Sequence, residues 1–403
     1  MSVSSVIFWI LAAATIGSVI YGGIALYGVA RFLQTRRCSG KSDPSESSVR
    51  SVPSESPTPP VSLLKPLCGL DRELEENLRS FCLQDYPSYE ILFSVREESD
   101  PAVAVVKRLT KVFPTVPMRV LVLGPPRYLN AKVHGLEAMV EAAAYDVLVI
   151  TDSDVRVGQD YLRTVVAALA DAQVGPKVGM VTCISRGVAG KSIWSRLEAL
   201  SMNTHFIPGV LTAWVLLGMQ FSLGPTMVIR KRTVEEFGGF GALGDYLADD
   251  FVLGERVAAS GKKVVLAGNV PDHLVCNESR RDSLRHRLRW ERSSWRSRPA
   301  GYVGQVFMHT FPLALLAWAA APAGSSMGIA LVATSLAARG LLAWATCWGV
   351  LRDRDFRRDW WLLPAQDLLS FAIWCWAFFG REIEWRGARF RVVRGGKLER
   401  VSP

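Results

Sequence analysis

Two carboxylates separated by a single residue, Asp152-Ser153-Asp154, follow directly on the apolar, strand-like run Val149-Ile150-Thr151. Carboxylates spaced this way can share one hard cation, and Mg²⁺ takes one or two of them together with substrate phosphates. A cation held there would neutralise the charge of a departing pyrophosphate. In an isolated turn the same aspartates would only cap a helix; the strand before them is what points to chemistry. A second acidic pair, Asp249-Asp250, lies in the run Asp245-Tyr246-Leu247-Ala248-Asp249-Asp250-Phe251. Adjacent carboxylates among apolar neighbours suit a general base with a perturbed pKa, and transfer to an alcohol needs such a base. Asp250 is the stronger candidate and Asp249 the other; the plain alternative is a charged helix start. In His286-Arg287-Leu288-Arg289-Trp290, Arg289 can pair with phosphate oxygens through its planar fork, and Trp290 offers a platform for a sugar or a lipid. Arg280, Arg281, Arg285, Arg292 and Arg296 nearby equally suit a basic helix on anionic lipid. In Arg96-Glu97-Glu98-Ser99-Asp100-Pro101, Asp100 reads as the cap of a helix starting at Pro101, and Glu97 as a nucleoside contact.

These residues need a scaffold. Short apolar runs recur at 61–64, 90–95, 119–123 and 146–151, with amphipathic helical stretches at 71–82, 101–112 and 132–143 between them. Strand and helix alternating at this pace predict a parallel α/β sheet, in which ligands bind at the carboxyl ends of the strands. The aspartate pair after 146–151 and the acidic run after 90–95 both fall at such ends.

The rest of the chain reads as membrane. Hydrophobic residues make up 49% of the 403, with 13 Trp. Residues 1–30 carry no charge, and Arg31, Arg36 and Arg37 follow. A cleaved signal peptide has its basic residues first, so a retained helix is expected over 1–37, N-terminus out, with the next segment cytoplasmic. Residues 38–60, rich in Ser and Pro, read as a linker. The catalytic domain is expected over 61–298. Residues 299–338 are again uncharged; with a break at Pro322–Gly324 they suggest two spans, the second running to about Val350 with Arg339 buried in it. The segment 360–380, interrupted by Pro364, Gln366 and Asp367, either crosses or re-enters to complete a membrane region over 299–380, and a basic tail fills 381–403. The uncharged stretch Leu200–Ile229 is long enough to span, yet a span would put Asp250 and Asp154 on opposite sides of the bilayer. It reads instead as buried core or an interfacial groove dipping into lipid, centred on 206–223, with His205 at its head as an acceptor contact. The net charge of +10 fits loops retained beside a membrane, or a surface that attracts an anionic donor. No nucleic-acid motif accompanies it. The seven cysteines are scattered without CxxC spacing, which speaks against a disulfide framework or a structural zinc site.

Taken together, VSLLKPLCGLD at 61–71, QDYPSYEILFSV at 84–95, DPAVAV at 100–105, NAK at 130–132, TDSDVRV at 151–157, His205, RK at 230–231, GGF at 238–240, YLADDF at 246–251, RLRW at 287–290 and EWRGARFRVVRGG at 384–396 resemble the ceramide glucosyltransferase family, glycosyltransferase family 21. The resemblance implies a GT-A fold flanked by N- and C-terminal transmembrane helices. It also implies a UDP-sugar donor, Mg²⁺ or Mn²⁺ as cofactor, inversion at the anomeric carbon and a cytoplasm-facing site; the excess of Arg over Lys, 36 to 11, points to a GC-rich bacterial genome and so to an inner membrane. By position, Glu97 sits where the family has its first Asp, Asp152 matches the strand-end motif, Asp250 the base, and Arg289-Trp290 the end of a QxxRW or RxxRW motif. Lys132, in NAK, joins Glu97, Asp152 and Arg289 on the donor side; Asp152 and Asp154 hold the metal; His205, His286 and Trp290 face the acceptor. The chain departs from the family in carrying Glu97 for Asp, His286 where Gln or Arg is usual, and Asp154 where animal members have Gly. The expected reaction is transfer of glucose from UDP-glucose to the hydroxyl of ceramide. A hopanoid N-acetylglucosaminyltransferase shares the KPLCG motif and is the alternative; a processive polysaccharide synthase would need more spans. An inactive lipid-binding membrane protein would not need Asp152, Asp154, Asp250 and Arg289 together.

Overall fold

The computed structural model describes residues 3–38, 58–170, 177–322 and 324–401. Most of the expected linker, 39–57, therefore lies outside the described residues, as does one residue of the expected break at Pro322–Gly324. The chain forms two compact units, one from residues up to Thr35 with Arg186–Gly218 and Asn277–Gly395, the other from Arg36–Ser185, Met219–Cys276 and the last residues from Gly396.

The second unit is built on a seven-stranded sheet. In chain order the strands are β1 (Val61–Pro66), β2 (Tyr89–Val95), β3 (Met118–Val122), β4 (Val147–Ile150), the short β5 (Val155–Arg156), β6 (Val178–Thr182), β7 (Arg186–Val188, in the other unit), β8 (Met227–Arg230), β9 (Lys263–Leu266) and β10 (Asp272–Leu274). The large sheet runs β3-β2-β1-β4-β8-β6-β9. β1 is parallel to β2 and β4, as the periodicity predicts. The sheet as a whole is not parallel, which corrects the sequence reading: β8 enters antiparallel between β4 and β6. Three of its four residues end the uncharged Leu200–Ile229 stretch, where no polar alternation marks a strand. The consequence for the site is large, because Ile150 pairs with Met227. The residues after β4 and those before β8 thus share one edge of this mixed α/β sheet.

β1, β2 and β4 are buried almost throughout, with Leu63, Ile91, Phe93 and Val149 fully buried and Phe81 and Tyr161 packed beside them from the flanking helices. Burying each such side chain stabilises the fold by about 1.5–3 kcal/mol. Helix Pro101–Val112 presents Ala102, Val105, Val106 and Leu109 to this core, one stripe at helical spacing. Asp100 caps it as expected, its carboxylate accepting from Ala102 N at 2.9 Å and also from Gly69 N at 3.1 Å.

The first unit is helical. Helix Val3–Cys38 packs on the 193–217 helix so closely that a Cβ on Gly28 would stand 3.0 Å from Leu211 O. Further along, Phe32 meets Trp214 edge-on at 6.5 Å, and the Arg31 guanidinium covers the same indole at 4.5 Å. Val3–Arg36, Ile193–Leu217 and Ser326–Val350 are each long and apolar enough to cross a membrane. The expected span from 299 is not straight: Pro299–Met308 and Thr310–Ala320 meet at 69° across His309. Arg339 is buried as anticipated and is paired with Asp367 at 2.8 Å. Helix Leu363–Ala377 has 15 residues, fewer than the ~20 a crossing needs. Exposed Trp360 and Trp361 precede it and exposed Trp376 lies in its last turn, the placement of aromatic side chains at a membrane surface. An antiparallel hairpin, β11 (Glu382–Trp385) and β12 (Ala388–Val392), opens the basic tail.

Candidate active site

Lys65 anchors the strand edge from which the site is built. Its side chain is fully buried in β1, donates from Nζ to Thr151 Oγ1 at 2.7 Å and to Asp152 O at 2.9 Å, and lies 3.6 Å from the centre of the Phe81 ring. Burial pulls its ammonium down to about 7 against the opposing pull of Asp152 and Asp154. The backbone that carries the aspartate pair is therefore pinned to β1. Ser153 Oγ donates to Asp71, and Asp154 O accepts from Leu274 N at 2.8 Å, fixing the turn on both sides.

Lys132 joins the two acidic groups. Its Nζ is 2.7 Å from Asp152 Oδ1 and 3.7 Å from Asp249 Oδ2. Burial disfavours the charged amine, but Asp152, Asp249 and Asp250 outweigh it and hold Lys132 above the usual lysine range. Burial likewise raises Asp152, and the adjacent Lys132 more than reverses this, so its carboxyl lies below the usual range. Asn130 sets the geometry. Its Oδ1 caps helix Ala131–Ala142 by accepting from Lys132 N at 3.0 Å, while its Nδ2 donates to Tyr246 O at 2.9 Å and to Asp249 Oδ1 at 3.2 Å.

Asp250 lies one residue inside helix Asp249–Ala259. Burial first, and then the charge of Asp249, push its carboxyl up to about 6. Phe251 N donates to its Oδ1 at 2.8 Å. The other oxygen faces Gly224: a Cβ there would stand 3.0 Å from Asp250 Oδ2 and 3.1 Å from Asp152 Oδ2. Gly224 sits in the tight turn closed by Thr226 N on Leu223 O at 3.1 Å, directly before β8. The antiparallel strand thus delivers a residue without a side chain to the space that Asp152 and Asp250 share.

Among the described residues no group of three or more His, Cys, Asp or Glu side chains is arranged as a metal cluster. The donor chemistry nevertheless suits a hard cation that completes its shell with phosphate oxygens. Asp154 Oδ1 is buried without a protein partner, and its Oδ2 lies 3.4 Å from His273 Nε2; the other ring nitrogen of His273 is also buried and unpartnered. Glu97, the expected nucleoside contact, is exposed on the loop after β2, with Arg96 Nε at 3.3 Å.

The remaining expected residues lie in the helical unit. His205 belongs to the widened π-type turn Met202–Phe206 and stacks on His309 with ring centres 4.8 Å apart. His286 and Trp290 are one helical turn apart in Arg280–Ser297, ring centres 4.6 Å apart, and Phe206 adjoins Trp290 at 6.2 Å. The His286 ring is engaged, its Nδ1 2.7 Å from Glu198 Oε1, and Glu198 also accepts from Ser283 Oγ at 2.6 Å and Asn277 Nδ2 at 2.8 Å. The Arg289 guanidinium lies 5.9 Å from the centre of the Trp385 ring.

Residues 11–398 match the family described as glycosyl transferase family 21. The chain belongs to that family. Among its relatives is ceramide glucosyltransferase 1 of Caenorhabditis elegans, 29% identical over 209 residues, covering 52% of this chain and 44% of the worm protein. A shorter match, 37% over 125 residues, links it to the ceramide glucosyltransferase of Komagataella phaffii, covering 28% of this chain and 24% of that one. The chain thus aligns with less than half the length of either relative. Among solved structures, a mannosyltransferase from Pyrobaculum calidifontis in complex with GDP-Man and Mn²⁺ superposes with a TM-score of 0.48 at 20% identity, covering 91% of this chain and 99% of that one.

The family is one of glycosyl transferases, and three described helices of this chain are long and apolar enough to cross a membrane. Four contributors to its site escape sequence reasoning. Lys65 and Asn130 were visible only as parts of motifs, their roles being to hold Asp152 and Asp249. His273 is brought to Asp154 by the pairing of β10 with β5, which its own sequence surroundings do not announce. Gly224 has no local signal at all, since its meaning comes from the pairing of β8.

Proposed function

We propose that this family 21 protein moves glucose from UDP-glucose to the hydroxyl of ceramide, with inversion and with Asp250 as general base. The observation that carries the reading is the shared approach of Asp250 Oδ2 and Asp152 Oδ2 to Gly224. A base raised to about 6 and a carboxylate held below the usual range then both face the space a Gly224 side chain would fill. An acceptor hydroxyl entering that space gives its proton to Asp250 Oδ2 while its oxygen bonds the anomeric carbon of the sugar. The bond from that carbon to the diphosphate breaks on the opposite side, and the electron pair leaves with UDP. A single displacement inverts the anomeric centre. Lys132 stays charged throughout and balances Asp152 and Asp249. Asp152 and Asp154, with His273 beside them, would hold Mg²⁺ or Mn²⁺, which when bound supplies charge stabilisation to the leaving diphosphate. Arg289 is the candidate phosphate contact of the helical unit, Glu97 the nucleoside contact, and His205, His286 and Trp290 the lipid-side contacts.

The test compares Asp250→Asn with Asp152→Asn in one nanodisc preparation, measuring UDP-sugar affinity and turnover. Loss of a general base typically lowers turnover about a hundredfold to ten-thousandfold. Asp250→Asn is expected to do so while keeping donor affinity; Asp152→Asn lowers both. Near-normal turnover in Asp250→Asn removes it as the base. Offering UDP-glucose and UDP-N-acetylglucosamine with ceramide and with a hopanoid, and identifying the product by mass spectrometry, decides donor and acceptor.

A further inference from the structure

An open pocket of about 460 Å³ in the helical unit is lined by Arg292, Gly380, Arg381, Glu382 and Arg391. Helix Arg280–Ser297 supplies the first of these and hairpin β11–β12 the last two. Ile383, Phe390 and Val392 are buried on one face of the hairpin, which leaves Glu382, Glu384, Arg389 and Arg391 on the exposed face. Arg292 ties hairpin to helix: its guanidinium donates to Glu382 O and, at 3.1 Å, to Phe379 O. Gly380 makes room for it, with φ at +85° and a Cβ position only 2.9 Å from Arg292 Nη2. Both bonds go to neutral carbonyls, so they leave the charge of Arg292 unbalanced.

The other charges do not balance it either. Arg296 donates to Gly380 O at 3.4 Å, and desolvation, then the charge of Arg381, pull its guanidinium below the usual arginine range. Of the hairpin carboxylates, Glu384 is taken by Arg285 at 2.9 Å, and Glu382 stands 3.9 Å from Arg391. Arg292, Arg296, Arg381 and Arg391 thus share one carboxylate among the described residues. Guanidiniums gathered against so little negative charge attract an anion, and their planar forks suit a phosphate. The surface next to them decides where that phosphate comes from. Trp376 is 66% exposed and Phe379 73%, and Arg381 follows two residues later. Large aromatic side chains exposed beside a cationic pocket belong at the lipid–water boundary, where rings sit at headgroup level and basic groups meet lipid phosphates. We propose that the pocket binds the phosphate head of an anionic phospholipid, with Trp376 and Phe379 beside its chains, so that a bound lipid ties the hairpin to the leaflet. The site is independent of which sugar or acceptor the enzyme takes.

The experiment uses the full chain in phosphatidylcholine nanodiscs doped with a phosphatidylglycerol that carries a diazirine near the top of one acyl chain, and maps the cross-linked peptides. Labelling is expected in 372–382 and should fall as unlabelled phosphatidylglycerol is added. Inorganic phosphate and UDP in large excess should not compete; competition by either would give the pocket to a soluble phosphate and overturn the proposal. Arg381→Gln with Arg391→Gln changes two exposed side chains, and a cooperative thermal transition reports its folding. It is expected to cut labelling at least about tenfold, the scale of two basic groups at an anionic surface. Arg354→Gln with Arg357→Gln removes the same charge from another exposed stretch and should leave labelling intact. Equal losses in the two double variants, or no loss in the first, overturn the proposal. If the first does not fold, the unaltered chain decides. Raising ionic strength from about 0.1 M to about 1 M shortens the screening length from about 10 Å to about 3 Å and should weaken labelling severalfold; undiminished labelling refutes the site.

Discussion

The chemistry of the site turns on Lys132, Asp152, Asp249 and Asp250, whose charges act on one another. Asp250 must be deprotonated to act as base, and its carboxyl is raised to about 6, first by burial and then by Asp249. A raised carboxyl gains its proton as pH falls through that value, so turnover should lose activity on the acid side of about pH 6 and be level above it. A rate profile at saturating donor and acceptor checks this; an acid limb near that of an ordinary aspartate would assign the base elsewhere. Asp154 and His273 carry a second expectation. Chelation should abolish transfer, with Mg²⁺ or Mn²⁺ restoring it, and His273→Ala should raise the Mn²⁺ concentration needed for half-maximal donor binding, read by equilibrium titration. Full transfer after exhaustive chelation ends the metal assignment. Of these residues the sequence exposed the carboxylates, because acid pairs beside apolar runs stand out locally. It hid Lys65, whose significance is a hydrogen bond across 86 positions, and Gly224, whose significance is the absence of a side chain at a distant partner's elbow.

At the scale of elements, the four strands and three helices read from periodicity fall within a few residues of their expected bounds: 90–95 becomes Tyr89–Val95, and 101–112 is unchanged, while β6 and β9 went unread. The antiparallel β8 does not follow, because pairing direction is a property of two segments and neither encodes it alone. Yet β8 creates the site. Its turn is held by helix Asp249–Ala259, where Gly254 lies against the Phe221-Ser222 backbone so closely that a Cβ would overlap Ser222 N and the Phe221 carbonyl carbon. Ser222 Oγ in turn donates to Asp250 O at 2.6 Å. Gly254→Ala should therefore displace the turn that carries Gly224, although alanine is the better helix former. We expect a destabilisation of about 1–3 kcal/mol from overpacking, measured as reduced thermal stability, with turnover falling further than donor affinity. A neutral or stabilising result would mean the turn yields freely and does not position the site.

At the scale of the whole molecule, the helical unit was legible as apolar stretches and not as an arrangement. The break at His309 and the pairing of Arg339 with Asp367 depend on neighbours distant in sequence. One packing detail reaches further. Gly28 meets Leu211, and Phe32 meets Trp214, so the helices at 3–38 and 193–217 pass each other heading the same way. A chain that threads a bilayer in one direction must return before it can thread in that direction again. The described residues between 58 and 192 hold no helix long and apolar enough to return, and 39–57 carry Lys41, Asp43, Glu46, Arg50 and Glu55. Cysteines introduced at 192 and 218 should therefore both react with a membrane-impermeant reagent from the same face; reaction from opposite faces would refute this. By this parity, the helix at 193–217, apolar enough to cross, is a lodger that enters and leaves by the same leaflet.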